Sequence, residues 1–220
     1  MDGSSAYAEV QPDPELNLTG DWTIEGWFRD DDPNGFNHDN RTILSKGDPN
    51  IPGTDVPYFL QVGRNNLIAG LRTNGQNYLL TFDLNYLGLK PRDWHHVAVT
   101  FRASQNVLNL WLDGQHVTYV VVPSHSSLGN TQPLDIGRKG PVTGQYWKGA
   151  IDDVRIWNVI RTGDQIAAAY RQELTGLQLG LVGNWKFDEG RGTLAVDSAG
   201  TPQNAMLIGE ASWLTNIPQR

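Results

Sequence analysis

Apolar and polar residues alternate with a period of two along most of this chain. No other feature limits its fold so strongly, because each alternating stretch carries one face that has to be hidden from water. Trp22, Ile24, Gly26 and Phe28 alternate with Thr23, Glu25, Trp27 and Arg29, and tryptophan in both rows leaves either one eligible to face a core. Val97, Val99 and Phe101 alternate with Ala98 and Thr100, and Leu108, Leu110 and Leu112 with Asn109 and Trp111, which predicts two antiparallel core strands. The second runs into Asp113-Gly114, the dipeptide that supplies the positive φ angles of a type I′ hairpin turn, and a strand resumes over residues 117–122. Further strands are predicted over residues 42–45, 58–62, 67–72, 78–82, 134–138, 149–157, 181–187 and 205–213, punctuated by Gly, Asn or Pro. Residues 1–10 read as a strand entered after a turn.

Helical periodicity occurs once. Thr162 stands where an N-cap belongs, ahead of Ile166, Ala167, Ala169, Tyr170 and Leu174, and Gly176 follows as a stop signal. One short helix near residues 163–174 is therefore expected, plugging an edge or an open end. About a dozen short strands in one twisted sheet would leave its apolar face wet, so the fold class is an all-β, two-sheet antiparallel jelly-roll sandwich.

No internal repeat or low-complexity linker interrupts the 220 residues, and residues 1–220 are expected to form a single domain. A chain of this length buries enough surface to hold a core without cross-links, and the absence of cysteine excludes both a disulfide scaffold and thiol chemistry. A net charge of -7 argues against the clustered basic footprint of a nucleic-acid binder and makes a cation the more natural small partner. The acids concentrate in Asp30, Asp31, Asp32 and Asp39, followed by Asp48 and Asp55, a pattern that fits a solvated loop. With Asn34, Asn37, Asn40 and Asn50 it also offers the oxygens of a rim metal or ligand site, although it does not match an EF-hand loop. No apolar run approaches the ~20 residues needed to span a bilayer, so membrane insertion is not expected. The abrupt start, with strand character from the outset and no export signal, is that of a domain excised from a larger parent chain, whose other domains would be its partners.

Several segments carry a resemblance. Asp21-Trp22-Thr23-Ile24-Glu25-Gly26-Trp27, Leu44-Ser45-Lys46-Gly47, Asp93-Trp94-His95-His96-Val97, Leu110-Trp111-Leu112-Asp113-Gly114, Gly149-Ala150-Ile151-Asp152-Asp153-Val154-Arg155-Ile156-Trp157 and Leu181-Val182-Gly183-Asn184-Trp185 follow one another along nearly the whole chain. In that order the chain resembles the laminin-G-like, pentraxin-related branch of the concanavalin A-like lectin and glucanase superfamily. The resemblance implies a lectin-like or adhesive module, extracellular or at the cell surface as part of a larger protein, that binds a glycan or an extracellular protein. It also implies a structural calcium ion between the first strand and the Ile151-Asp152-Asp153-Val154 strand. Asp2 and Asp152 would hold it, with backbone carbonyls and water completing six to eight oxygen ligands. The competing reading is that Asp2 caps a turn and Asp152 accepts from backbone amides. Asp153, on the opposite face of its strand from Asp152, is expected to pair with a base such as Arg155. Where the family usually has an aromatic residue before Asp-Gly, this chain has Met1.

Sugar-binding modules stack pyranose rings on exposed aromatics flanked by amides and carboxylates. Tyr146 and Trp147, preceded by Gln145 and close to Arg138 and Lys139, are the first choice for such a platform, with Arg138 and Asp48 as polar ligand-binding partners. The alternative for Trp147 is that it covers the edge of the core. Trp22, Trp27, Trp94, Trp111, Trp157 and Trp185 fall in strands or at their ends and read as packing. His95 and His96 are neighbours on one strand, so their imidazoles diverge and cannot share an ion. The glucanases of this superfamily carry Glu-x-Asp-x-x-Glu on one strand, placing two carboxyl groups across the scissile bond. That pattern is absent here, as are a nucleophile elbow, a zinc signature and a phosphate loop. Two non-enzymatic classes stay open: a carbohydrate-binding module with a structural calcium, and a protein-adhesion or spacer module of a large secreted or cell-surface protein.

Overall fold

The computed structural model describes residues 1–123, 129–215 and 218. Its strands are β1 (Tyr7–Val10), β2 (Trp22–Asp30), β3 (Arg41–Lys46), β4 (Val56–Gly63), β5 (Asn66–Thr73), β6 (Gln76–Asp83) and β7 (His95–Arg102). There follow β8 (Val107–Leu112), β9 (Gln115–Val121), β10 (Leu134–Ile136), β11 (Gly149–Trp157), β12 (Leu181–Trp185), β13 (Leu194–Ala195) and β14 (Ala205–Ile208). Among the described residues they form two antiparallel sheets, one of eight strands in the order β13-β14-β1-β10-β3-β4-β5-β6 and one of six in the order β12-β11-β2-β7-β8-β9. The expected jelly-roll sandwich is present. Runs of neighbouring strands are joined by tight hairpins, whereas β1 sits between β10 and β14, and β2 between β7 and β11, which are distant in sequence.

Three hairpins close on two residues that both have positive φ: Arg64-Asn65 (52° and 61°), Asn74-Gly75 (50° and 76°) and Asp113-Gly114 (49° and 78°). This is the type I′ geometry whose twist matches that of the flanking strands. Register then sets the core. Ile24 lies opposite Val99 on one side and Ile156 on the other, and Val99 lies opposite Leu110, so one inward row crosses four strands. These residues, with Trp22, Phe28, Phe101 and Leu112, meet Tyr58, Leu60, Val62, Leu67 and Leu71 of the other sheet.

The outward row of β2 is buried as well, which explains why tryptophan occupies both rows. Trp27 stacks on Tyr170, with ring centres 5.8 Å apart, and meets His96 edge-on. The cover is α2 (Gly163–Ala169) and the residues that follow it. Thr162 is its N-cap, as expected, within a capping box completed by Gln165. The helix ends at Ala169, short of the expected residue 174, because the next carbonyls turn to the sheet: Tyr170 O accepts from Trp27 Nε1 (3.1 Å) and Gln172 O from Arg155 Nη2 (2.7 Å). Gly176 does adopt a left-handed φ of 68°, but in the loop beyond. The helix therefore packs on the outer face of the six-stranded sheet, toward its edge strand β9.

Beneath it is a charged cluster. Arg155 grips Asp153 with two hydrogen bonds, as expected from the sequence. Glu25 accepts from Trp157 Nε1 (2.9 Å) and Arg161 (3.4 Å) and lies 3.6 Å from His96 Nε2. Burial, aided by Arg155 and Arg161, holds His96 well below the usual imidazole range, so it is neutral. His95 faces away toward Phe28 and Phe36, and the two imidazoles diverge. The strands expected over residues 134–138, 181–187 and 205–213 stop at Ile136, Trp185 and Ile208.

Candidate functional site

Ala8, Val10, Leu134, Ile136, Leu60 and Val62 point into the core, so the intervening Tyr7, Glu9, Asp135, Phe59 and Gln61 form the outer face of the eight-stranded sheet. The segment between β10 and β11 crosses this face. Arg138 bonds Asp135 at 3.0 and 3.2 Å and Glu9 at 3.3 Å, with its guanidinium carbon 3.6 Å above the Tyr7 ring centre. Lys139 places Nζ 4.1 Å from the Phe59 ring centre and 3.3 Å from Gln61 Oε1. The short helix α1 (Gly140–Thr143) follows, held by Asp48, whose carboxylate accepts from Asn50 N, Val142 N, Thr143 N and the Thr143 hydroxyl. Gly140 has φ 63° and is packed so closely that a Cβ would lie 2.3 Å from Asp48 Cβ.

Gln145 then takes a left-handed φ of 51°, unusual for a residue with a side chain, and its carbonyl accepts from Thr42 N at 2.9 Å. From this anchored kink the chain runs out extended, and alternation sends the next two rings apart. Tyr146 turns outward, half-buried, with its ring centre 6.1 Å from that of Tyr7. Trp147 turns inward, with no exposed surface, edge-on to Phe28 and donating Nε1 to Ala150 O at 3.2 Å. Of the four ligand-binding residues expected from the sequence, Tyr146 alone presents a free face. Trp147 is core, Asp48 is saturated mainly by α1, and Arg138 is consumed in ion pairs that support the tyrosines.

Tyr146 and Gln145 line an open polar cleft of about 620 Å³ whose other walls are Gly3, residues 39–41 and Arg64. Arg64 projects from the β4–β5 turn with a side chain 78% exposed, 3.6 Å from an Asp39 carboxylate that is itself almost fully exposed. Such a pair is worth little and is readily exchanged for ligand. Gly63, at the base of the turn, is required by its neighbour: a Cβ there would fall 2.5 Å from Asn40 Oδ1 and 2.7 Å from its Cα. The acidic run noted in the sequence meets the cleft at Asp39, and the three acids before it each have a basic partner. Asp30 pairs with His38 (2.6 Å), Asp31 with Arg29 (2.8 Å) and Asp32 with Arg41 (2.7 Å). Asp39 and Asn40 belong to the acidic loop that the sequence offered as a rim ligand site, whereas Gly3, Arg41 and Arg64 were not marked as site residues.

The donor set at Asp2 and Asp152 does not fit calcium. The Asp2 carboxylate accepts from the backbone N–H groups of Ser4, Ser5 and Ala6, each at 2.9 Å, and from both serine hydroxyls. Burial alone would raise it, yet these bonds hold it well below the usual carboxylate range. Asp2 bridges to Lys148, four residues before Asp152, so at the rise of an extended strand the two acids are separated by roughly 13 Å. Asp152 itself is 3% exposed within β11. Among the described residues, no group of three or more His, Cys, Asp or Glu is placed to hold a metal. The turn-capping reading of Asp2 is the one the structure adopts. A second, apolar pocket between Trp94, Phe187, Leu207 and Trp213 encloses about 50 Å³, too little for a sugar ring.

Comparison with known proteins agrees with this architecture. A laminin-G family model described as the concanavalin A-like lectin/glucanases superfamily matches residues 2–167. No curated protein sequence matches the chain. Among solved structures, a Bacteroides ovatus protein described as a candidate carbohydrate-binding protein aligns with a TM-score of 0.66 at 20% identity, covering 98% of this chain and 63% of that one. The CBM40 of a Ruminococcus gnavus sialidase, bound to α2,3-sialyllactose, aligns with a TM-score of 0.61 at 14% identity over 76% of this chain and 94% of its own. Domains LG4-5 of the mouse laminin α1 chain align at 0.54 and 15% identity, over 70% and 39%. At these identities the likeness is one of fold. In addition, no helix among the described residues is long and apolar enough to cross a membrane.

Proposed function

Because the chain belongs to the laminin-G-like branch of the concanavalin A-like lectin and glucanase superfamily, we propose that it is a non-catalytic carbohydrate-binding module whose glycan lies in the cleft beside Tyr146. The observation that carries this reading is the outward Tyr146 ring, fixed by the kink at Gln145 and backed by Tyr7 and Arg138, at the edge of a cleft large enough for a sugar unit. A pyranose presents an apolar face of C–H groups and a rim of hydroxyls. Tyr146 matches the first, and Gln145, Asn40 and Arg64 match the second with donors and acceptors. Glycoside hydrolysis needs two carboxyl groups flanking the bond. Around this cleft Asp30, Asp31 and Asp32 are each engaged with a basic side chain, which supports binding without turnover. The R. gnavus and B. ovatus neighbours support the glycan reading, and with the laminin domains they support a place outside the cell within a larger protein. Calcium is no part of this proposal.

Glycan-array screening of the protein followed by calorimetric titration of the best ligand tests it. Tyr146→Ala is expected to weaken binding about tenfold, the worth of one aromatic contact, and Arg64→Ala to weaken it about fivefold, the worth of one hydrogen bond. Unchanged affinity in both variants would refute the cleft. A silent array combined with capture of a purified extracellular protein would favour the adhesion reading instead.

A further inference from the structure

His38 lies one residue before Asp39 of the cleft lining, buried behind it between two acceptors that a neutral imidazole cannot both satisfy. It is 9% exposed, and each ring nitrogen faces an acceptor at 2.6 Å: Nε2 faces the Asp30 carboxylate on β2, and Nδ1 faces the Asp39 carbonyl. A neutral ring has one N–H and one lone pair, so only the doubly protonated ring can donate to both. The same residue ties the wall to the β4–β5 turn. His38 O accepts from Arg64 N at 2.8 Å, Phe36 O accepts from Asn65 N at 2.9 Å, and Asn40 and Arg41 of the cleft follow two and three residues later. Asp30, Asp32, Asp39, Arg41 and Arg64 are the charged residues that surround it.

We propose that His38 is a proton-operated clasp on the cleft wall: doubly protonated it holds residues 36–41 against the Arg64 turn in the shape that receives ligand, and with one proton lost it releases that wall. On a neutral ring one nitrogen lone pair would face an acceptor oxygen, and residues 36–41 would give way to relieve the repulsion. Glycan binding would accordingly weaken toward alkaline pH, a consequence that rests on the carbohydrate reading above, whereas the clasp itself does not. Burial opposes the charged ring, but the bonds to Asp30 and Asp39 prevail and raise it above the ordinary value of 6.5. For a base raised on folding, the stabilisation is complete below its unfolded value and is lost as pH climbs through the folded one.

Two readouts on the intact chain separate the clasp from the glycan reading. The first is long-range ¹H–¹⁵N imidazole spectroscopy with amide exchange, corrected for intrinsic rates, between about pH 5.5 and 8.5. The His38 ring is expected to be doubly protonated at the acid end, and the Arg64 and Asn65 amides should lose protection with the same midpoint. In His38→Gln both amides should be weakly protected at every pH. His95 is also held between two acceptors, Asp113 and the Lys90 carbonyl, and its titration persists in that variant as an internal control. The second readout is glycan affinity, expected to fall about fivefold across the same midpoint in the wild type and to be flat in His38→Gln. A singly protonated His38 ring at acid pH, or Arg64 and Asn65 protection that does not follow its titration, would overturn the clasp. If no glycan binds at any pH, the carbohydrate reading fails while the amide data still decide the clasp.

Discussion

Tyr146 and Trp147 show how a single residue step decides a role. Both lie on one extended segment, so their rings must point to opposite sides, and the structure gives the outward position to the tyrosine. The sequence marked the pair but not the parity, because parity is set by the kink at Gln145 and by the hydrogen bond from Trp147 N to Gly137 O, 2.8 Å long, neither of which leaves a local pattern. Removing each ring should therefore give different outcomes in urea denaturation. Trp147→Ala leaves a cavity against Phe28 and is expected to cost about 3–5 kcal/mol, whereas Tyr146→Ala, at the surface, should cost less than about 1.5 kcal/mol. Equal losses would mean that both rings are core. Asp2 and Asp48 carry the same lesson: each was expected to be a ligand, and each is spent on backbone N–H groups, Asp2 on those of its own turn and Asp48 on those of α1, far away in the chain.

At the scale of elements, the period-two strands and the type I′ turn at Asp113-Gly114 were legible because they are local. Element ends were less so. The helix after Thr162 stops where Trp27 and Arg155, far away in the chain, claim the next carbonyls. The end of β3 holds a comparable non-local feature. Lys46 is fully buried, its Nζ donating to Asn130 Oδ1 and Gln132 O, and burial, only partly opposed by the charge of Asp13, lowers it to about 8. Lys139, over the Phe59 ring, is likewise lowered by burial to about 8. Both bases have an unfolded value of 10.5, so from about pH 8 upward the unfolded chain binds more protons than the folded one, and stability from these groups rises with pH. Denaturation between about pH 8 and 10 should show the wild type gaining on Lys46→Met by roughly 1–3 kcal/mol. Parallel pH profiles would show that Lys46 titrates normally in the folded protein.

The whole molecule assembles what no segment contains. The candidate site draws on the first turn, the loop entering β3, the β4–β5 hairpin and the loop entering β11, which come together because β1 pairs with β10 and β10 with β3. Sheet order of this kind follows from burying two apolar faces against each other, and the need for two sheets could be read from the alternation. Which loops then share one end could not, since that depends on long-range pairing. The central claim, that sugar binds in this cleft, is tested most directly by amide chemical-shift mapping during titration with an array-identified glycan. The account predicts that the largest shifts fall on Gly3, residues 39–41, Arg64 and residues 144–146. Shifts centred instead on Trp94, Phe187 and Trp213, or spread over the outer face of the six-stranded sheet, would contradict it.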